Sequence, residues 1–121
     1  MKFWIDTEYD DSGDRVELIS LAAVADDNRE YYAVSNEFEI DAVKPFVKQH
    51  VIPKLPPNDS DEWMSMDAIR DTFLEFVGTE QAEFWTHNPT YDWYLVTWNF
   101  LHGWDHLPSN WPFECYDLAQ W

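Results

Sequence analysis

Two acids near the start of this chain have the spacing to do chemistry. The run Phe3-Trp4-Ile5-Asp6-Thr7-Glu8 is aromatic and β-branched, the composition of a strand. Strand side chains alternate faces, so Asp6 and Glu8 share one face with Cα atoms about 6.6 Å apart, and Thr7 points the other way. Neighbouring carboxylates repel each other unless a cation lies between them. A hard divalent ion, Mg²⁺ or Mn²⁺, takes oxygen ligands and suits such a pair. An acidic strand end open to solvent explains the same residues with no metal. A third acid, Asp92, follows in His87-Asn88-Pro89-Thr90-Tyr91-Asp92. This stretch is expected between a strand and a helix, where ligands gather in α/β sheets. The helix dipole alone would favour an acid in that first turn, and Asn88 suits a tight turn before proline.

These acids need elements to hold them. Residues 10–14 read as a turn and Val16–Ala25 as a continuously apolar strand, of the kind covered on both faces. After a second turn, residues 30–34 read as a third strand, which completes an antiparallel meander. Asp41 is expected to cap a helix over 41–49, with Pro45 near its first turn. Pro53, Pro56 and Pro57 enforce a loop. Ser65 caps the next helix, whose stripe is Ile69, Phe73, Phe76 and Val77, and Gly78 stops it. A fourth strand is expected over 82–86. A helix over 90–102 carries Tyr91, Leu95, Trp98 and His102 on one stripe, and Gly103 ends it. A fifth strand over 112–116 and the start of a helix over 117–121 complete the series. This order predicts an α/β fold with a mixed sheet and helices on its faces.

Composition narrows the function. The 121 residues fit one compact domain, and 45% apolar with 18% aromatic residues supply its core. A net charge of −17 argues against binding nucleic acid by charge alone, although bound metal would reverse the local field. The single Cys115 forbids an internal disulfide, and no leader or apolar span of about 20 residues is evident. A soluble cytoplasmic protein with no membrane association is expected. His102 and His106 have the spacing of zinc ligands, but Gly103 breaks the helix that would align them. His50 has no partner at ligand spacing and reads as a surface residue. Cys115 has no base beside it and reads as a small buried apolar residue. Most of the eight Trp read as core, while Tyr9 and Trp93, each next to an acid, are the better candidates for stacking on bases.

Asp6-Thr7-Glu8 resembles the first motif of the DEDD 3′→5′ exonucleases, the ribonuclease H-like superfamily that includes ribonuclease T and oligoribonuclease. His87-Asn88 followed by Tyr91-Asp92-Trp93 resembles their second motif. Residues 3–9, 17–19, 29–35 and 51–57 resemble the bacterial and phage polyadenylate-specific exoribonuclease branch. The resemblance covers most of the chain. It implies a ribonuclease H-like three-layer fold with a mixed five-stranded sheet, acting on the 3′ end of single-stranded RNA, with DNA as the alternative. It further implies two Mg²⁺ or Mn²⁺ ions. Asp6 would bridge both, Glu8 would bind one and orient the attacking water, and Asp92 would hold the second. Thr7, Tyr9, Asn88 and Trp93 are the implied nucleic-acid contacts.

The third motif of that family, a His or Tyr five residues before an Asp on a last helix, has no match here. Residues 1–121 are therefore expected to form a single domain that stops short of that helix. Its absence is expected to uncover Phe3, Ile5 or the 16–25 strand and to drive self-association, for instance as a homodimer. A second reading is a non-catalytic acidic interaction protein that retains the fold.

Overall fold

The computed structural model describes residues 1–120. Six strands form one mixed sheet: β1 (Lys2–Asp11), β2 (Val16–Ala25), β3 (Glu30–Ser35), β4 (Trp63–Met64), β5 (Glu83–Thr86) and β6 (Tyr116–Asp117), in the order β4-β3-β2-β1-β5-β6. The meander β1-β2-β3 is antiparallel, and β4, β5 and β6 each join in parallel. The expected five strands are thus six. The extra strand, β4, is a two-residue pairing of Trp63 and Met64 with Val34 and Ser35. Only the arriving partner makes it a strand, so no local pattern announces it. The strand expected over 112–116 lies instead at Tyr116–Asp117.

The α-helices are α1 (Pro45–His50), α2 (Met66–Val77) and α3 (Pro89–Tyr94). Helix α2 follows its sequence closely. The Ser65 hydroxyl accepts the Ala68 N–H at 3.1 Å, Ile69, Phe73 and Val77 are buried, and Gly78 closes the helix at φ 76°. Helix α1 begins at Pro45 rather than Asp41, because proline presets the first helical φ and lacks only an N–H that would be unpaired there. The helix expected over 90–102 is α-helical only to Tyr94. It widens into a π-helical segment over Leu95–Phe100 and ends at His102 and Gly103, both at positive φ. Wider turns break the 3.6-residue spacing. Leu95, Val96 and Phe100 are therefore buried, while Trp98 leaves the expected stripe for solvent. Leu118–Gln120 form a 3-10 turn, and Trp121 lies outside the described residues.

The main core lies between one face of the sheet and α2, α3 and the π-helical segment. Phe3, Ile5, Leu21, Ala23 and Phe84 meet Ile69, Phe73, Leu95 and Phe100 there. Each fully buried Phe contributes on the order of 1.5–3 kcal/mol. Phe3 is 0% exposed and Ile5 is buried, so the expected uncovering of these two residues does not occur. The layer built by α2 and the widened helix covers them.

A bulge organises the other face. Glu8 pairs with Ser20 and Tyr9 with Leu18, which leaves Ile19 as an extra residue in β2. Leu18 and Leu21 therefore both reach the main core although three residues apart. Ile19 is turned to the opposite side, where it anchors a smaller core with Val43, Val47 and Val51 around α1. Buried Asp10 completes this anchor by accepting the Lys44 N–H at 3.0 Å. Helix α1 is thereby fixed beside the end of β1 that carries the acids.

Candidate functional site

Asp6 and Glu8 alternate with the buried Ile5 and Thr7 and so face the α1 side of the sheet, open to solvent. They line a cleft of about 360 Å³ with Ser20, Tyr32, Phe46, His50 and Lys54. An adjoining hollow of about 270 Å³ shares Glu8, Phe46 and Val51 and adds Tyr9 and Lys44. Phe46 is 69% exposed, and its ring lies 4.6 Å from that of His50, one helical turn on. His50 is exposed, as expected of a surface residue, and lines the same cleft as the acids. The i, i+4 spacing of Phe46 and His50 signals a shared face; it does not show what that face meets.

Desolvation raises the Asp6 carboxyl above the ordinary carboxylate value. Asp92 raises it further, and the Thr7 backbone opposes the change. Glu8 is raised too, by desolvation first, then by Asp6 and Asp92, with Lys54 opposing. Each acid is thus held at a cost when charged, and a cation between them would relieve that cost.

Asp92 comes close enough to bias both acids, and its carboxylate is already engaged by hydrogen bonds. The β1–β5 ladder pairs only Lys2, Phe3 and Trp4 with Glu83, Phe84 and Trp85, so β1 runs on past its partner. The Thr7 N–H donates to Asp92 Oδ1 at 3.0 Å, and the Thr7 hydroxyl donates to the same oxygen. The Thr86 hydroxyl donates to Oδ2 at 2.9 Å. Asp92 is buried. A carboxylate has about four acceptor sites, and three are taken, which leaves one on Oδ2.

Of the other residues the sequence singled out, Thr7 is buried and bonded to Asp92. Trp93 is buried in the main core, where its indole N–H donates to the Phe113 carbonyl at 2.8 Å. Tyr9 stacks on Tyr91 at 4.6 Å, and the Tyr91 hydroxyl donates to Asp11 at 2.9 Å. Asn88 holds the left-handed turn at φ 62°, and its N–H donates to Asp117 at 3.1 Å. The half-buried Cys115 thiol is pushed up to about 12, chiefly by desolvation, so no thiolate nucleophile is at hand.

The donor set suits a hard divalent ion in its chemistry: two strained, solvent-facing carboxylates. As a complete protein site it falls short. Among the described residues no group of three His, Cys, Asp or Glu side chains is arranged to hold a metal ion. Water or a substrate oxygen would have to complete the shell.

No protein-family model matches the chain. Two curated proteins named 3′-5′ exoribonuclease, from the CDC 1551 / Oshkosh and ATCC 25618 / H37Rv strains of Mycobacterium tuberculosis, are similar to it. Each is 44% identical over 95 residues, covering 76% of this chain and 56% of the relative. The chain therefore spans about half the length of the curated relatives it matches. Among the described residues no helix is long and apolar enough to cross a membrane.

Proposed function

We propose that this chain carries catalytic acids of a divalent-metal-dependent 3′→5′ exoribonuclease of the DEDD type, built on a ribonuclease H-like sheet and acting on single-stranded RNA in the cytoplasm. The observation that carries the reading is the joint placement of Asp6 and Glu8 in a cleft whose far wall supplies Phe46, His50 and Lys54. The names of the relatives favour RNA over DNA. An ion held by Asp6 and Glu8 would supply Lewis acidity and an activated water at neutral pH. Glu8 orients that water as a hydrogen-bond acceptor. Lys54 offers the scissile phosphate a cation, and the open Phe46 ring offers the terminal base a face to stack on. Asp92 locks the end of β1 and keeps one acceptor site on Oδ2, with which it would help hold an ion directly or through water.

Thermal unfolding with added Mn²⁺ tests the ion site. At a hundred-fold excess over Kd, binding stabilises by about 2.7 kcal/mol, a rise in Tm of roughly 10 °C for a domain of this size. Asp6→Ala should remove the rise; an equal rise in that variant would place the ion elsewhere.

Phe46→Ala should raise KM for oligoadenylate at least about five-fold, the low end of a stacking contact, with kcat little changed. A fall in kcat at constant KM would take Phe46 out of substrate binding.

A second reading, a non-catalytic acidic interaction protein, is favoured by the lack of a third ligand in the cleft. Single-stranded RNA left both unbound and intact in the presence of Mn²⁺ would support that reading.

A further inference from the structure

The widened helix builds a second surface, distinct from the acid cleft. Tyr94, Trp98 and Trp104 line a groove of about 290 Å³, and Phe113 extends it, its ring 6.0 Å from that of Trp104. Trp98 is 56% exposed, Trp104 57% and Phe113 63%. Gly103, at φ 93°, lets the chain turn close beneath Trp98; a Cβ there would lie 3.5 Å from the indole. Scattered apolar residues are ordinary on a surface, but a contiguous aromatic group marks an interaction site.

Both nucleobases and cations stack on aromatic faces, and charge decides between them. All seven Lys and Arg lie within residues 1–70. Residues 71–121 contain eight Asp and Glu and no Lys or Arg. Asp105 follows Trp104 and Glu114 follows Phe113, and both are exposed. Phosphates, whose neutralisation dominates nucleic-acid affinity, would meet no Lys or Arg from this half of the chain. A planar guanidinium stacks on indole and pairs with carboxylates, which a compact ammonium does less well. We propose that this groove docks an arginine-rich segment of a partner protein, with guanidinium groups over Trp98 and Trp104 and paired with Asp105 and Glu114. The proposal stands apart from the nuclease reading, since it uses none of the residues of the acid cleft.

The test follows the indole N–H resonances of Trp98 and Trp104 while the whole chain is titrated with an Arg-Gly repeat peptide, a Glu-Gly repeat peptide or oligoadenylate. The Arg-Gly peptide should shift both resonances saturably, and Trp98→Ala or Trp104→Ala should each weaken its binding about five-fold or more. Oligoadenylate binding should stay as in the parent. Trp104 sits in a one-turn 3-10 segment, so Trp104→Ala serves if Trp98→Ala melts early. Unchanged peptide affinity in the variants would mean that net charge alone attracts the peptide, and the proposal fails. It fails equally if oligoadenylate moves these resonances in place of the peptide, or if dilution alone moves them, which would make the occupant a second copy.

Discussion

Asp6→Asn should lower RNA hydrolysis by about a thousand-fold while moving Tm upward. The loss follows from the role proposed for the acids: removing a ligand that would fix an ion at the reacting phosphate would forfeit several kcal/mol of transition-state stabilisation, and each 1.36 kcal/mol is a factor of ten in rate. The gain in stability follows from the raised carboxyls. Asp6 is raised first by desolvation and then by Asp92, and Glu8 by desolvation and then by Asp6 and Asp92. A group whose folded pKa exceeds its unfolded value binds its proton more tightly when folded. Its favourable contribution is complete below the unfolded value and is lost as pH rises through the folded one. At neutral pH the charged pair therefore works against folding, and a neutral amide relieves it. Glu8→Gln should behave in the same direction. Opposite movements of activity and Tm are hard to produce by general damage, which lowers both. Paired assays of hydrolysis and unfolding at pH 7 decide the matter. Retained activity in Asp6→Asn would remove this residue from the reaction.

The second large effect is expected at Asp92, and its sign is opposite. Asp92→Ala leaves three donors without a partner: the Thr7 N–H, the Thr7 hydroxyl and the Thr86 hydroxyl. Each unsatisfied buried donor costs about 1–3 kcal/mol, so a loss of at least ~3 kcal/mol is expected, and Tm should fall by roughly 10 °C or more. Asp92→Asn separates the residue's hydrogen-bonding role from the one proposed for it in activity. Its carbonyl oxygen can still accept from Thr7, and its amide can donate to the Thr86 oxygen, since that hydroxyl rotates freely. The amide variant should therefore fold near the parent Tm but lose activity with the charge. Chemical denaturation with a constant slope would give the two differences directly. If Asp92→Ala were as stable as the parent, the buried carboxylate would not be what closes the end of β1.

Much of the fold was legible because local chemistry decides it. Aromatic and β-branched composition, a continuous apolar run and turn residues mark β1, β2 and β3, and Ser65, the Ile69-Phe73-Val77 stripe and Gly78 mark α2. The Asp6–Glu8 pair on one face was legible as well, because side-chain alternation is a property of any strand. What the sequence could not decide depends on residues distant in the chain. Strand β4 exists only because Val34 and Ser35 lie beside it. The π-helical widening, which sends Trp98 outward, runs against the regular helical period on which a sequence reading relies. Thr7 and Asp92 are 85 positions apart, and only the early end of the β1–β5 ladder leaves the N–H that ties them. The bulge at Ile19 likewise needs the pairing of β1 with β2 before it can aim α1, and with it Phe46 and His50, at the acids. The sequence by itself determined which groups could do chemistry and which strand face carries two of them. The tertiary structure alone decided what stands opposite them and which carboxylate is committed to holding the fold, because long-range pairing sets the partners of each backbone and side-chain donor.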